Sequence, residues 1–184
     1  FRQVTRPVFI GFEGAFPPAG WVVTETGATD DPGWVTTTAR VYSGNYAVYH
    51  DDASTTGNSI SWLIMPQVTV PADGADLAFW QNQNFETWYT YHGIWISTAS
   101  NDPADFVELN ELGAGTEDVW EGVMVNLDAY AGQAVYLAFR YEGNWSDEWY
   151  IDDVAIQQVD PVTWLAETPA SGVLVADTGE QVVD

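Results

Sequence analysis

An all-β fold of short antiparallel strands is predicted by three features: aromatic richness, closely spaced turn residues and scarce helical periodicity. Ten tryptophans, nine tyrosines and eight phenylalanines stand among 184 residues, against only two methionines. Aromatic and β-branched side chains fit the half-buried, pleated surface of strands. Sixteen glycines and nine prolines interrupt the chain at short intervals, as strands joined by turns require. Many short strands without helices make a β-sandwich or a barrel.

In chain order, strand-like runs fall at 21–24, 34–38, 46–50, 61–70, 76–82, 93–98, 119–126, 133–141 and 148–158. Turn signals separate them: Pro17-Pro18, Asp31-Pro32-Gly33, Ser43-Gly44-Asn45, Asp73-Gly74, Asn101-Asp102-Pro103 and Glu142-Gly143-Asn144. Alternation is cleanest in 133–141. There Val135, Leu137, Phe139 and Tyr141 share one face, and Tyr136, Ala138 and Arg140 the other. Residues 103–109 read as a short helical turn, and the aromatic run 85–92 as a loop joining two strands. A boundary falls near Asp160-Pro161, so that 1–160 form one domain. The 24 residues of 161–184 are too few to bury a core of their own. They read as a linker, as the opening of a second domain, or as a strand shared with a neighbouring molecule.

The charge balance is extreme: 27 acidic residues stand against four arginines and no lysine, for a net charge of −23. Such a surface repels nucleic-acid backbones and anionic lipid, and it repels itself unless cations or salt relieve the strain. No cysteine is present, so disulfides and thiol chemistry are excluded. No apolar run approaches the ~20 residues that span a bilayer as a helix, so membrane insertion is not expected. His50 and His92 lie in no metal-ligand spacing and are read as packed or surface residues. No phosphate-binding loop or nucleophile–base signature is present, which argues against an enzyme.

An ordered series of motifs carries a resemblance. It begins with Gly11-Phe12-Glu13-Gly14, Phe16-Pro17-Pro18-Ala19-Gly20-Trp21, Ser43-Gly44-Asn45-Tyr46 and Ser61-Trp62-Leu63-Ile64-Met65-Pro66. It continues through Leu77-Ala78-Phe79-Trp80, Leu127-Asp128-Ala129-Tyr130-Ala131-Gly132 and Val135-Tyr136-Leu137-Ala138-Phe139-Arg140, ending in Tyr150-Ile151-Asp152-Asp153-Val154. Over about residues 9–158 the chain resembles the choice-of-anchor J or cleaved-adhesin domain of bacterial secreted and surface proteins, a relative of the MAM domain. The resemblance implies a two-sheet antiparallel jelly-roll β-sandwich without catalytic machinery, secreted or displayed at the cell surface. A shorter likeness, Trp164-Leu165 with Ser171-Gly172, resembles the opening of an Ig-like module.

Two groups of residues are candidates for function. Glu13, in the expected first strand, and Asp152 and Asp153, in the last, are carboxylates among apolar neighbours. Burying them costs several kcal/mol unless they are paired or bind a metal. First and last strands are commonly neighbours in a jelly roll, and oxygen ligands without histidine or cysteine suit a structural Ca²⁺. Strict alternation places Asp152 with Tyr150, Val154 and Ile156, so Asp152 is expected to point inward. Asp51 and Asp52, and Asp30 and Asp31, are further candidate ligands. The second group is aromatic: Trp88, Tyr89, Tyr91 and Trp145, whose rings beside Asp, Glu and Asn suit sugar or protein contact. The expectation is a non-catalytic binding or accessory module, partnered by a glycan or a surface protein. The alternative is a repeating subunit of an extracellular filament, associating head to tail through its C-terminal extended segment.

Overall fold

The computed structural model describes residues 10–28, 33–51 and 57–157. The predicted boundary at 160 and the segment beyond it lie outside these, as do Asp30, Asp31 and Asp52. Among the described residues eleven strands form two antiparallel sheets: β1 Val22–Glu25, β2 Trp34–Thr37, β3 Ala47–His50, β4 Ser59–Ile64, β5 Val68–Thr69, β6 Asp76–Gln83, β7 Tyr89–Ser97, β8 Val107–Glu111, β9 Glu121–Asn126, β10 Ala134–Gly143 and β11 Trp149–Gln157. The first sheet runs β1-β4-β10-β7-β8, with β5 also paired to β10, and the second runs β2-β3-β11-β6-β9. The chain crosses repeatedly between the layers, as in a jelly-roll sandwich, and only β2-β3, β4-β5 and β7-β8 follow one another within a single sheet.

The core lies between the sheets. Leu63, Ile94, Leu137, Phe139 and Tyr141 of the first sheet meet Trp34, Val48, Leu77, Phe79 and Trp149 of the second. Phe79 and Phe139 pack edge to face across the gap, with ring centroids 5.0 Å apart, and Trp34 meets Trp149 at 5.4 Å. Each fully buried Leu, Ile or Phe contributes roughly 1.5–3 kcal/mol. The other face of β10 behaves as its alternation requires. Ala138 joins Trp62, Ile64 and Phe106 in a small outer cluster, and the Arg140 guanidinium lies 4.9 Å from the ring centres of Tyr91 and Trp95.

The expected helical turn in 103–109 is present as a 3-10 turn at Pro103–Asp105, followed by the edge strand β8. Two expectations need correction. Residues 61–70 are two strands, because Pro66 carries no N–H for a continuous ladder. The run 85–92 is a loop only as far as a 3-10 turn at Glu86–Trp88, and Tyr89 already begins β7.

Candidate functional site

The first and closing segments do lie side by side. Ile10 and Val154 exchange both backbone hydrogen bonds, at 2.8 and 3.1 Å. Glu13 itself lies in irregular chain just after Ile10, ahead of a bend at 14–17, rather than in a strand. Gly11 sits among the acids: a Cβ there would stand 3.2 Å from Asp153 Oδ1, 3.8 Å from Asp152 Oδ1 and 3.8 Å from Glu13 Cγ. A side chain there would crowd the Asp153 carboxylate, so glycine lets the first segment pack closely against the two aspartates. Phe12, next in the chain, takes φ 56° and buries its ring against Trp21 at 5.7 Å. That strained residue turns Glu13 outward.

All three acids hold the loop between β2 and β3. Glu13 accepts the Asn45 and Tyr46 N–H groups at 2.9 and 3.0 Å, which holds its carboxyl below the usual carboxylate range. Asp152, with no exposed surface, accepts the N–H groups of Tyr42, Ser43 and Asp153 at 3.0, 3.1 and 2.8 Å. Burial nevertheless pushes its pKa up to about 7, and the Asp153 charge adds to the shift. Asp153 accepts the Ser43 hydroxyl at 3.0 Å, and it too is raised, by burial and by Glu13.

The face expected for Asp152 was wrong although its burial was right. Asp152 pairs with Trp80 and Ala155 with Ala78, so β11 carries a bulge over Asp153, which has φ 49°. The bulge resets the alternation: Ile151 and Val154 both reach the core. Asp152 instead lies on the outer side, opposite Trp80, and the loop carrying Tyr42 and Ser43 covers it. Tyr42 stacks on the Trp80 ring at 3.9 Å. Asp51 follows the opposite end of β3, so about five residues of extended chain, roughly 17 Å, separate it from Asn45 and Tyr46. It does not share the Glu13 site.

The aromatic candidates divide. Trp88 and Trp145 are 60% and 63% exposed, and Phe85, which the sequence reading did not single out, is 49% exposed. Their loops lie together at one end of the sandwich, because Tyr89, opening β7, pairs with Gly143, closing β10. Phe85 and Trp145 both take left-handed backbone, at φ 44° and 53°, each costing on the order of 1 kcal/mol. Tyr89 instead packs inward. Its ring packs against Tyr141 and His92, and its hydroxyl donates to the Glu148 carbonyl, while Tyr141 donates to the Asp147 carbonyl. Two core tyrosines thus anchor the loop that presents Trp145. The other loop is tied to it by Asn84, whose N–H donates to Glu148 O at 3.1 Å and whose amide donates to the Glu148 carboxylate at 2.6 Å. Tyr91 lies in the outer cluster beneath Arg140, its hydroxyl accepting Trp95 Nε1–H at 2.8 Å.

The model of the Cleaved Adhesin Domain matches residues 6–156. The chain belongs to that family. Among relatives of the cleaved-adhesin domain described here, hemagglutinin A of Porphyromonas gingivalis (strain ATCC BAA-308 / W83) is 32% identical over 168 residues. The match takes in 76% of this chain and 8% of that protein, so this chain spans a small fraction of the relative's length. The K1 cleaved adhesin domain of Lys-gingipain from Porphyromonas gingivalis W83 superposes with a TM-score of 0.65 at 25% identity, covering 83% of this chain and 98% of that one. Carbohydrate-binding modules share the fold. TmCBM61, solved with β-1,4-galactotriose, gives a TM-score of 0.56 at 21% identity, over 81% of this chain and 94% of that one.

Both histidines of the cleaved-adhesin domain are core residues. His50 stacks on Tyr141 at 4.0 Å. His92 meets the Gln83 amide at 2.9 Å, and burial lowers its pKa to about 4.

Proposed function

We propose that this cleaved-adhesin domain is a non-catalytic extracellular adhesion module, braced by calcium, that contacts a glycan or surface protein through its aromatic loop end. One observation carries the reading: Phe85, Trp88 and Trp145 stand exposed together on loops pinned to a rigid sandwich. Three large rings left in water together at one end of the fold favour a contact surface over a structural role. Membership of an adhesin family, the kinship with hemagglutinin A, and the fold shared with carbohydrate-binding modules support the extracellular, binding side of the proposal.

Calcium is supported by the acids around Gly11. Asp152 is buried and gathers N–H donors, yet burial and Asp153 still oppose its charge. A divalent cation beside it would remove that penalty. Among the described residues no three carboxylates or histidines gather closely enough to form a cage alone. Asp152, Asp153 and Glu13 would therefore share the ion with Ser43 Oγ and main-chain carbonyls, the mixed oxygen shell that calcium accepts. The ion would lock the first segment and the Tyr42–Tyr46 loop onto β11.

Two measurements test the proposal. Melting in EDTA and in millimolar Ca²⁺ should differ by several degrees, since a ligand at 100 times its Kd adds about 2.7 kcal/mol. An unchanged melting temperature removes calcium. Retention on arrays of polysaccharides and of mucin-type glycoproteins should be lost in the Trp88→Ala/Trp145→Ala variant. Equal retention by both proteins removes the contact surface.

A further inference from the structure

We infer that the ligand of this loop end is a short stretch of neutral polysaccharide, two or three hexose units long. This rests on the reading of Phe85, Trp88 and Trp145 as the contact surface, and it narrows that reading to one chemistry.

Size comes first. At their observed exposures the three side chains offer on the order of 400 Å² of apolar surface, taking ~200–250 Å² for a whole aromatic side chain. A stable protein–protein contact takes about 800 Å² from each partner. Little more than half of such an interface is apolar, so area alone admits either partner; the patch also matches the span of a few sugar rings, whose CH faces stack on indole and phenyl.

The polar surroundings point the same way. Asn84, Asp147 and Glu148 lie half-buried between the two aromatic loops, and Asn144 is exposed beside Trp145. These suit sugar hydroxyls: the Asp147 and Glu148 carboxylates accept from them, the Asn144 amide donates and accepts, and Asn84, whose amide N–H groups go to Asp147 and Glu148, offers its carbonyl oxygen. No basic side chain of the described residues is free to receive an anion. Arg140 is occupied by Glu142 at 2.6 Å and by the rings of Tyr91, Trp62 and Trp95, and Arg40 by Asp118 and the Asn82 amide. A chain of net charge −23 also repels uronate and sulfate polymers before contact.

Rigidity completes the argument. Sugar contacts are individually weak, so the ordering cost of the loops decides whether binding is measurable. Here that cost is met on folding, by the Tyr89 and Tyr141 hydroxyls, the Asn84 bonds, and the turn closed by Trp88 N–H donating to Phe85 O at 2.9 Å.

Affinity electrophoresis of the intact chain in gels containing β-galactan, xylan, mixed-linkage β-glucan, polygalacturonate or heparin tests the inference. Retardation is expected in at least one neutral polymer and in neither anionic one. In the retarding polymer the apparent affinity should fall tenfold or more for Trp88→Ala and for Trp145→Ala, at unchanged melting temperatures. Retardation by an anionic polymer alone overturns the inference. So does migration unaffected by every neutral polymer while the same variants still abolish retention on enzymatically deglycosylated glycoprotein; a protein partner then replaces the sugar and the contact surface stands. Loss of neither kind of binding in the tryptophan variants overturns both.

Discussion

Asp152 shows most directly how one residue couples stability to solution conditions. Its folded pKa of about 7 stands above the ordinary 3.8, so the folded state holds a proton that the unfolded state has released. Without metal, the Asp152 contribution is therefore fullest below about pH 4 and is lost as pH rises through about 7, by a few kcal/mol at most. His92 runs the other way: its pKa is lowered from 6.5 to about 4, so its contribution is present above pH 6.5 and is lost as pH falls through about 4. The two partly cancel in the same window, so the informative quantity is a difference. In EDTA, urea unfolding from pH 4 to 7.5 should show the parent losing stability relative to Asp152→Asn as pH rises; parallel curves would contradict the assignment. Saturating Ca²⁺ should flatten that difference. Gly44 offers a second test at this scale. It has φ 68°, and a Cβ would run into the Glu13 carboxylate. Gly44→Ala should cost about 1–3 kcal/mol by urea unfolding. The acids were legible as a group because carboxylates in apolar strands demand an explanation. That Asp152 faces outward was not, since a bulge is invisible to a rule of strict alternation.

At the scale of elements, the strongly patterned strands were readable and the rim was not. β10 alternates so regularly that both its faces could be assigned from sequence, the core with Leu137 and Phe139 and the outer cluster with Ala138. β8 escaped because it is an edge strand with four of its five residues exposed, Val107 among them, so only Leu109 packs against the core. Its two glutamates guard the open edge against pairing with another chain. The loop end was half legible. An aromatic run beside turn residues drew attention to Trp88 and Trp145, but composition could not tell an anchor from a contact. Tyr89 is the anchor. Tyr89→Phe removes one hydroxyl donor and should cost about 1 kcal/mol in urea unfolding. It should also weaken polysaccharide retardation several-fold while leaving both tryptophans in place. A variant that loses the stability but binds as well as the parent would show that the loops need no such pinning.

For the whole molecule, charge sets the conditions and the sandwich sets the geometry. A net charge of −23 on a chain of this size opposes its own compaction. Raising NaCl from about 0.02 M to about 0.5 M shortens the Debye length from roughly 20 Å to roughly 4 Å and should raise the melting temperature in EDTA. A temperature independent of salt would mean that the acids are too dispersed to matter. The fold class was legible in full, because aromatic strands and frequent turns leave little else to build. The position of the proposed contact surface was not, because it depends on which strand ends the topology brings together: β7 beside β10, each carrying one tryptophan loop. The central claim is that this end of the sandwich is where the domain adheres. Retention of the parent and of Trp88→Ala/Trp145→Ala on one polysaccharide and glycoprotein array, at matched melting temperature, tests it most directly. Binding confined to the parent is the expected result, and equal binding by the two proteins would contradict it.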